Sequence, residues 1–132
     1  MTEVVDASAL LALLFNEPGA ETVADVIAGG AVVSAVNLAE VATVLIRNHR
    51  DAKTLLEPVR AQVAVEPFTD ADALAVADLD PQVSAKALSP GDRACLVLAQ
   101  RLDVPAATAE QIWVELALDV AIHLIRPTRT RP

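Results

Sequence analysis

Short apolar runs alternate along the chain with longer segments whose apolar positions recur at helical spacing. Short runs of β-branched residues bounded by turn residues are typical of buried strands, and spacings of three and four are typical of helices. The pattern predicts five strands, at residues 4–5, 31–33, 63–68, 104–108 and 121–125. It predicts helices at residues 7–15, 20–27, 36–48, 52–62, 70 to about 84 and 89–103, and a short helix that ends at residue 118. This alternation predicts an α/β fold in which a parallel sheet is covered by helices on both faces.

Proline and glycine residues set several of the predicted boundaries. Pro18 and Gly19 separate the first two helices, and Gly29 and Gly30 end the second one. Pro58 lies inside the fourth predicted helix and lacks the N–H of a helical hydrogen bond, so it predicts a kink or break there.

The chain as a whole, residues 1–132, has the size of one domain and contains no repeat or linker. It shows no apolar run of membrane-spanning length and no signal peptide, so we expect a cytoplasmic protein that enters no membrane. Cys95 is the only cysteine and is expected to fill space in the core. Residues 126–132 hold three arginines and two prolines and are expected to form a mobile tail.

The net charge argues against a passive nucleic-acid-binding module. The chain has 18 acidic and 10 basic residues, a formal charge of −8, and only 2% aromatic residues. Binding of nucleic acid by bulk charge needs a basic protein, and stacking of single-stranded bases needs aromatic side chains. An enzyme that acts on a polyanion with this composition would need local cationic groups or bound metal ions.

Three acidic residues lie where a predicted strand ends or a predicted helix begins. Asp6 follows the first strand, Glu110 follows the fourth, and Asp92 ends the helix start SPGD at residues 89–92. Each has an ordinary interpretation as a helix-capping residue, and SPGD has the pattern of a capping box. In parallel sheets, ligands bind beyond the carboxyl ends of the strands. The three carboxylates are therefore also predicted to lie near a binding site at that edge.

Glu40 is the fourth candidate and lies inside the third predicted helix. Its neighbours one turn away are Val36, Asn37, Thr43 and Val44, which do not form a solvated face. A glutamate is rarely buried unless it is paired or bound to metal. The alternatives are therefore a buried ion pair with an arginine or coordination of a metal ion.

Four carboxylates that converge on one point repel each other, and a divalent cation removes that conflict. Oxygen ligands of this kind suit Mg²⁺ or Mn²⁺. The two histidines, His49 and His123, are isolated, so no set of zinc ligands is present. One or two such ions can activate water and stabilise a phosphate under in-line attack. The residues proposed to bind metal and to be catalytic are Asp6, Glu40, Asp92 and Glu110.

Three segments resemble the PIN domains of VapC-type toxins. They are VVDASALLALLFNEPG (4–19), VVSAVNLAEVATVL (32–45) and LSPGDRACLVLAQRLDVPAATAE (88–110), in the order of the family. The resemblance implies a three-layer α/β/α sandwich with a central parallel sheet. It also implies an endoribonuclease that depends on Mg²⁺ or Mn²⁺ and is neutralised by a cognate antitoxin.

The resemblance also assigns roles to individual residues. It makes Asp6, Glu40 and Asp92 the metal-binding acids, and it makes Ser8 and Thr108 the residues that support them by hydrogen bonds. The family usually has aspartate where this chain has Glu110. The longer side chain can reach a metal directly or through water, so Glu110 is expected to assist, and its direct ligation stays open.

We therefore expect a toxin that hydrolyses RNA phosphodiester bonds. One alternative is a phosphohydrolase with Asp6 as nucleophile, but phosphatases of the haloacid dehalogenase class carry a second aspartate where this chain has Ser8. Another is a non-catalytic PIN-like regulator that only binds a partner, against which the intact acids count.

The expected partners are an RNA substrate, a VapB-type antitoxin and a second copy of the chain, with helix 20–27 as a face for a homodimer. Operator DNA is expected to be bound only through the antitoxin, because the chain is acidic. Several cationic residues can contact a phosphate or simply occupy a solvated face. They are Arg47, His49, Arg50, Arg93, Arg126, Arg129 and Arg131.

Overall fold

A five-stranded parallel sheet lies at the centre of the computed structural model, which describes residues 2–127. Numbered along the chain, the strands are β1 (Glu3–Val5), β2 (Ala31–Ser34), β3 (Val63–Glu66), β4 (Ala106–Thr108) and β5 (Ile122–Leu124). They pair in the order β3-β2-β1-β4-β5, and every pair is parallel. The predicted parallel sheet is confirmed. β3 and β4 are shorter than predicted: β3 ends before Pro67 and β4 begins after Pro105, since proline cannot donate to a strand ladder.

Six α-helices connect the strands. They are α1 (Ala7–Leu14), α2 (Ala20–Ala28), α3 (Ala35–Arg47), α4 (Ala52–Gln62), α5 (Asp70–Val83) and α6 (Pro90–Leu102). Side chains cap five of them: Asp6, Ser34, Asp51, Thr69 and Ser89 each accept a hydrogen bond from a first-turn N–H. These local signals explain why the predicted helices agree with the observed ones to within a few residues.

The structure corrects two predictions about helices. Of the kink or break predicted at Pro58, the break does not occur, since α4 continues through this residue while Leu56 and Val59 pack into the core. The short helix predicted to end at residue 118 is instead the five-residue 3₁₀ helix Gln111–Glu115. A second 3₁₀ helix, Ser84–Lys86, follows α5.

Each face of the sheet carries its own hydrophobic core. Because neighbouring residues on a strand point to opposite faces, Val5 packs with α1 to α4 and Val4 packs with α5 and α6. Cys95 is fully buried in the second core, where the sequence predicted a space-filling role. Helices on both faces make the chain the predicted three-layer α/β/α sandwich.

α2 buries its apolar residues Val23 and Val26 in the first core, whereas Ala24 and Ala28 are exposed beside Glu21 and Asp25, and Ile27 is half-buried. The homodimer face suggested for residues 20–27 stays a prediction. None of the helices in residues 2–127 has the length and apolar character needed to cross a membrane.

The strand order places the carboxyl ends of β1 and β4 side by side. β1 is followed along the chain by β2 on one side of it, whereas β4 lies on its other side. A crevice beyond the carboxyl ends at such a change of direction is the usual ligand site of an open α/β sheet. Asp6 directly follows β1 and Thr108 ends β4, so these two residues mark the site in this chain.

Candidate active site

Asp6 is the most constrained acid of the site. It is only 2% exposed, and it caps α1 by accepting a hydrogen bond from the Ala9 N–H at 2.8 Å. Ser8 Oγ lies 2.8 and 2.9 Å from its two carboxylate oxygens, and Thr108 Oγ1 donates to Oδ2 at 2.6 Å. The carboxylate therefore has one orientation, set by α1 on one side and by β4 on the other.

Ser8 and Thr108 also connect the loop after β4 to the start of α1. The Ala109 N–H donates to Ser8 Oγ at 2.9 Å, and the Glu110 N–H donates to Thr108 Oγ1 at 3.0 Å. Both hydroxyls thus accept from the β4 loop, and both lie against the Asp6 carboxylate. This is the position that the resemblance assigned to two residues that support the acids.

Glu40 lies on the second turn of α3 and is half-buried against the start of α6. Asn37 Nδ2 donates to Glu40 Oε1 at 2.7 Å and to the Gly91 carbonyl oxygen at 3.0 Å. A Cβ added at Gly91 would overlap the Glu40 carboxylate. The partner of Glu40 is the Asn37 amide, and no salt bridge among residues 2–127 includes Glu40, so the predicted alternative of a buried ion pair with an arginine is wrong for the described residues.

Asp92 lies on the first turn of α6 and forms the capping box that the sequence predicted. Its Oδ2 accepts from the Ser89 N–H at 3.1 Å, and its own N–H donates to Ser89 Oγ at 3.1 Å. The structural role of Asp92 is therefore present in the fold. One carboxylate oxygen, Oδ1, is left for another partner.

The charges of Asp6, Glu40 and Asp92 act on a common part of the fold. The pKa of Asp6 is raised to about 6 by burial and, to a smaller extent, by the charge of Asp92, while hydrogen bonds from Thr108, Ala9 and Ser8 oppose the rise. The pKa of the buried Cys95 thiol is raised well above its ordinary value by burial and then by the charges of Asp6, Asp92 and Glu40. The fields of all three acids thus reach one residue of α6.

Glu110 lies directly after β4 but points to solvent. It precedes the 3₁₀ helix Gln111–Glu115, and its carboxylate makes no capping hydrogen bond there. The capping interpretation of Glu110 is therefore wrong. Its backbone N–H belongs to the hydrogen-bond network around Thr108, whereas its side chain is exposed.

The described cationic candidates other than Arg47 either contact groups other than the four acids or lie exposed beyond α3. Arg93 pairs with Asp80 at 2.8 Å and donates to the Leu88 carbonyl, so it has its structural role. The Arg50 guanidinium lies 5.4 Å from the centre of the Phe15 ring, and Arg126 donates to the Pro18 carbonyl. His49 is exposed beyond the end of α3. Arg129 and Arg131, and with them most of the predicted mobile tail, lie outside the described residues.

The exception is Arg47, which lies in the last turn of α3. Together with Glu40 and Thr43, it lines a shallow cavity of about 500 Å³ along the exposed side of that helix. Arg47 is therefore the candidate for phosphate contact that lies on the same surface as an acid of the site.

A family model for the PIN domain matches residues 4–118. This chain belongs to the PIN domain family. No curated protein matches its sequence.

Solved structures of VapBC and VapC proteins have the same fold as this PIN domain. VapBC2 from Rickettsia felis, bound to a promoter DNA fragment, matches with a TM-score of 0.76 at 11% identity, over 93% of this chain and 98% of the other. VapBC-1 from nontypeable Haemophilus influenzae matches with a TM-score of 0.75 at 16% identity, over 95% and 98%. Mycobacterium tuberculosis VapC20, a toxin that cleaves the sarcin–ricin loop, matches with a TM-score of 0.70 at 16% identity, over 92% and 99%.

The side chains of this PIN domain fit Mg²⁺ or Mn²⁺ in their chemistry, since every candidate ligand atom is a carboxylate oxygen. Among the described residues, no three His, Cys, Asp or Glu side chains lie close enough together to form a ready-made metal cage. Mg²⁺ usually keeps several of its waters and takes only one or two carboxylates from the protein. The arrangement therefore suits a hydrated ion held at the edge of the sheet.

Sequence reasoning did not single out Asn37 or Gly91, which the structure places beside Glu40. A weak signal was present, since Asn37 lies three residues before Glu40 and therefore on the same face of α3. No local sequence pattern connects Asn37 or Glu40 to Gly91, which is 54 positions from Asn37 along the chain.

The free energy of unfolding of the metal-free PIN domain is expected to contain a component that rises as the pH falls from about 7.5 to about 4. The pKa of Asp6 is about 6 in the fold, against an ordinary value of 3.8. The folded pKa is the higher one, so ionised Asp6 destabilises the fold. This penalty is fully present above pH 6 and is lost as the pH falls towards the unfolded value. Its size is about 3 kcal/mol.

Urea unfolding in a chelator at several pH values measures this component. The Asp6→Asn variant is the control, since it keeps the shape of the side chain and cannot ionise. It is expected to be more stable than the unaltered protein at neutral pH, with a difference that shrinks as the pH falls. Parallel pH profiles for the two proteins would contradict the assignment.

Proposed function

We propose that this PIN domain is the toxin of a toxin–antitoxin pair and hydrolyses RNA phosphodiester bonds with a bound Mg²⁺ or Mn²⁺ ion. The observation that carries the proposal is the Asp6 carboxylate, fixed by Ser8, Thr108 and the start of α1 between β1 and β4. Glu40 and Asp92 complete the acidic edge. Membership of the PIN family and the likeness of the fold to a toxin that cleaves the sarcin–ricin loop support it.

In this proposal, Asp6, Glu40 and Asp92 hold the ion, and Glu110 assists from its exposed position. The ion, when bound, supplies positive charge for the phosphate and lowers the pKa of water at the site. Ser8 and Thr108 prevent Asp6 from rotating, because each donates to the carboxylate while accepting from the β4 loop. Arg47, on the same surface of α3 as Glu40, would contact a phosphate of the RNA.

The role of Ser8 disfavours the alternative of a phosphohydrolase that uses Asp6 as nucleophile. Both carboxylate oxygens of Asp6 accept hydrogen bonds of 2.6 to 2.9 Å, and Ser8 supplies one of them. Ser8, which replaces the second aspartate of that enzyme class, donates to Asp6 instead of contacting a leaving group.

RNA cleavage by the purified chain with Mg²⁺ or Mn²⁺ is the test of this function. The Asp6→Asn variant, purified in the same way, excludes a contaminating nuclease. The non-catalytic regulator, which is the remaining alternative, requires that the unaltered chain cleave no RNA while still binding its partner.

The proposed partner is a VapB-type antitoxin. Structures with this fold include VapBC complexes, two of them bound to DNA. An open, largely apolar groove of about 720 Å³ lies between α3 and α4 and begins at Ala35, within two turns of Glu40. An amphipathic antitoxin helix in this groove would place a following arginine or lysine among the acids, and a guanidinium can bind two carboxylate oxygens at once. The antitoxin would supply the basic surface that holds operator DNA, since this chain carries a charge of −8.

Co-expression with the product of the neighbouring small reading frame is expected to give an inactive complex. Ile46→Glu places a charge in the groove at a side chain that is 63% exposed, and it should weaken the complex at least about tenfold, because a charge loses its hydration when covered. Leu74→Glu on α5 is the matched control, since Leu74 is 72% exposed outside the groove. A complex that cleaves RNA at the full rate, or equal effects of the two variants, would contradict this mode of inhibition.

The homodimer stays a prediction, which light scattering of the free chain would check.

A further inference from the structure

Asn37 is a buried polar residue whose two donors both have an acceptor, while its oxygen has none. The side chain is 1% exposed and lies on the first turn of α3. Its Nδ2 donates to Glu40 Oε1 and to the Gly91 carbonyl, and Oδ1 has no hydrogen-bond partner within the described part of the chain. Leaving a buried acceptor without a partner destabilises a fold, so buried groups of this kind are rare.

The chemistry of the two neighbours fixes the orientation of the Asn37 amide. A carboxylate and a backbone carbonyl accept hydrogen bonds and cannot donate them. Rotation of the amide by 180° would place its oxygen against both of these acceptors and lose both bonds. Asparagine has the correct size and two N–H donors on one atom. Aspartate at this position would only accept, and serine would have a single donor.

Gly91 provides the space into which Asn37 directs Glu40. The Glu40 carboxylate occupies the volume that a Cβ at Gly91 would need, so it lies directly against the first turn of α6. Asp92, the next residue, lies on that same turn. The Asn37 bond to the Gly91 carbonyl joins α3 to α6 at the point where the two acids come together.

We propose that Asn37 is a positioning residue that holds the Glu40 carboxylate on the first turn of α6 beside Asp92, in the space left by Gly91. The fold thereby brings Glu40 to the metal site before any ion binds. The unpartnered oxygen is the cost of directing both N–H donors at Glu40 and Gly91. This inference rests on the proposed function, because it assumes that Glu40 and Asp92 bind the ion.

Calorimetric titration with Mn²⁺ alone, without RNA, tests this role. Asn37→Leu removes both donors and keeps the side-chain size, and it is expected to weaken Mn²⁺ binding about 10- to 100-fold, as loss of groups that orient metal ligands generally does. Asn37→Leu in a Glu40→Ala background should cause no further loss, since the effect acts through Glu40. Val41→Ala is the control for the fold, because it opens a cavity in the core of the same helix and should lower the melting temperature without changing the affinity.

Gly91→Ala gives an independent test, which can be carried out even if the Asn37→Leu variant does not fold. Alanine is favoured over glycine within a helix, and the three atoms nearest to the added Cβ all belong to the flexible end of Glu40, which can move away. The melting temperature in chelator should therefore be unchanged or higher, while Mn²⁺ affinity falls at least about tenfold. If Gly91 had only a structural role, Gly91→Ala would lower the melting temperature and the Mn²⁺ affinity together.

The possible outcomes separate the two proposals. Mn²⁺ binding by the unaltered chain, with unchanged affinity in Asn37→Leu and Gly91→Ala, would overturn the positioning role and leave the proposed function intact. Additive losses in the Glu40→Ala background would also overturn it. No Mn²⁺ binding by the unaltered chain would overturn the proposed function, and the inference with it.

Discussion

RNA cleavage by this PIN domain is expected to stop in EDTA and to return when Mg²⁺ or Mn²⁺ is added in excess. The acids at the carboxyl ends of β1 and β4 carry negative charge towards a negatively charged substrate, so without a cation the site repels RNA. A bound ion stabilises the transition state by several kcal/mol, which corresponds to a rate effect of at least about a thousandfold. The measurement is the initial rate of cleavage of an end-labelled RNA.

Calcium serves as the control ion in the same assay. It carries the same charge, but it prefers longer bonds and more ligands than Mg²⁺, so it should hold the site in a poor geometry and restore little activity. Full activity in chelator, or equal rescue by Ca²⁺, would show that the acids do not act through a catalytic metal of this kind.

The second large effect is expected from Asp6→Asn and Asp92→Asn, each of which should lower cleavage at least about a thousandfold through loss of the metal. An amide of the same shape can keep the Ala9 and Ser8 bonds at residue 6 and the capping bonds at residue 92, so the fold should remain. Glu110→Gln should cost far less, about tenfold, because the Glu110 side chain is exposed and lacks the hydrogen bonds that orient the other acids.

Circular dichroism and thermal unfolding in chelator distinguish loss of the metal from loss of the fold in these variants. Glu21→Gln, an exposed glutamate of α2 away from the acids, is the matched control for Glu110→Gln and should leave cleavage unchanged. If Glu110→Gln were as damaging as Asp6→Asn, Glu110 would be a metal ligand in its own right.

The strands and helices could be predicted from the sequence because they depend on interactions within about four residues. The capping box of Ser89 and Asp92 is an example, since a serine and an acid three positions apart predict the start of α6, and the structure has it there. The absence of a break at Pro58 has the opposite cause. The local cost of the proline is offset by packing of Leu56 and Val59 against the sheet, which no local pattern reports.

Asp6, Asp92 and Glu110 were selected from the sequence by their places after strands and at a helix start, and Glu40 by its poorly solvated neighbours. The resemblance to a family supported the selection. The sequence could also predict that β1 and β4 present their ends to one edge of a parallel sheet. The local pattern predicted the caps formed by Asp6 and Asp92, but by itself it could not show which distant side chain meets Asp6, because that depends on elements far apart in the chain. Thr108 reaches Asp6 across 102 positions, and a structure is needed to show that its hydroxyl donates to Oδ2.

The local environment of Glu40 was beyond prediction for the same reason. Its sequence neighbours suggested only that it is not solvated, which left an arginine partner open. In the structure, the partner of Glu40 is Asn37 and not an arginine. The packing of α3 on α6 places Gly91 against the Glu40 carboxylate. Local periodicity specifies which face of a helix is apolar, whereas the strand order β3-β2-β1-β4-β5 specifies which two helices meet, and so which residues share a site.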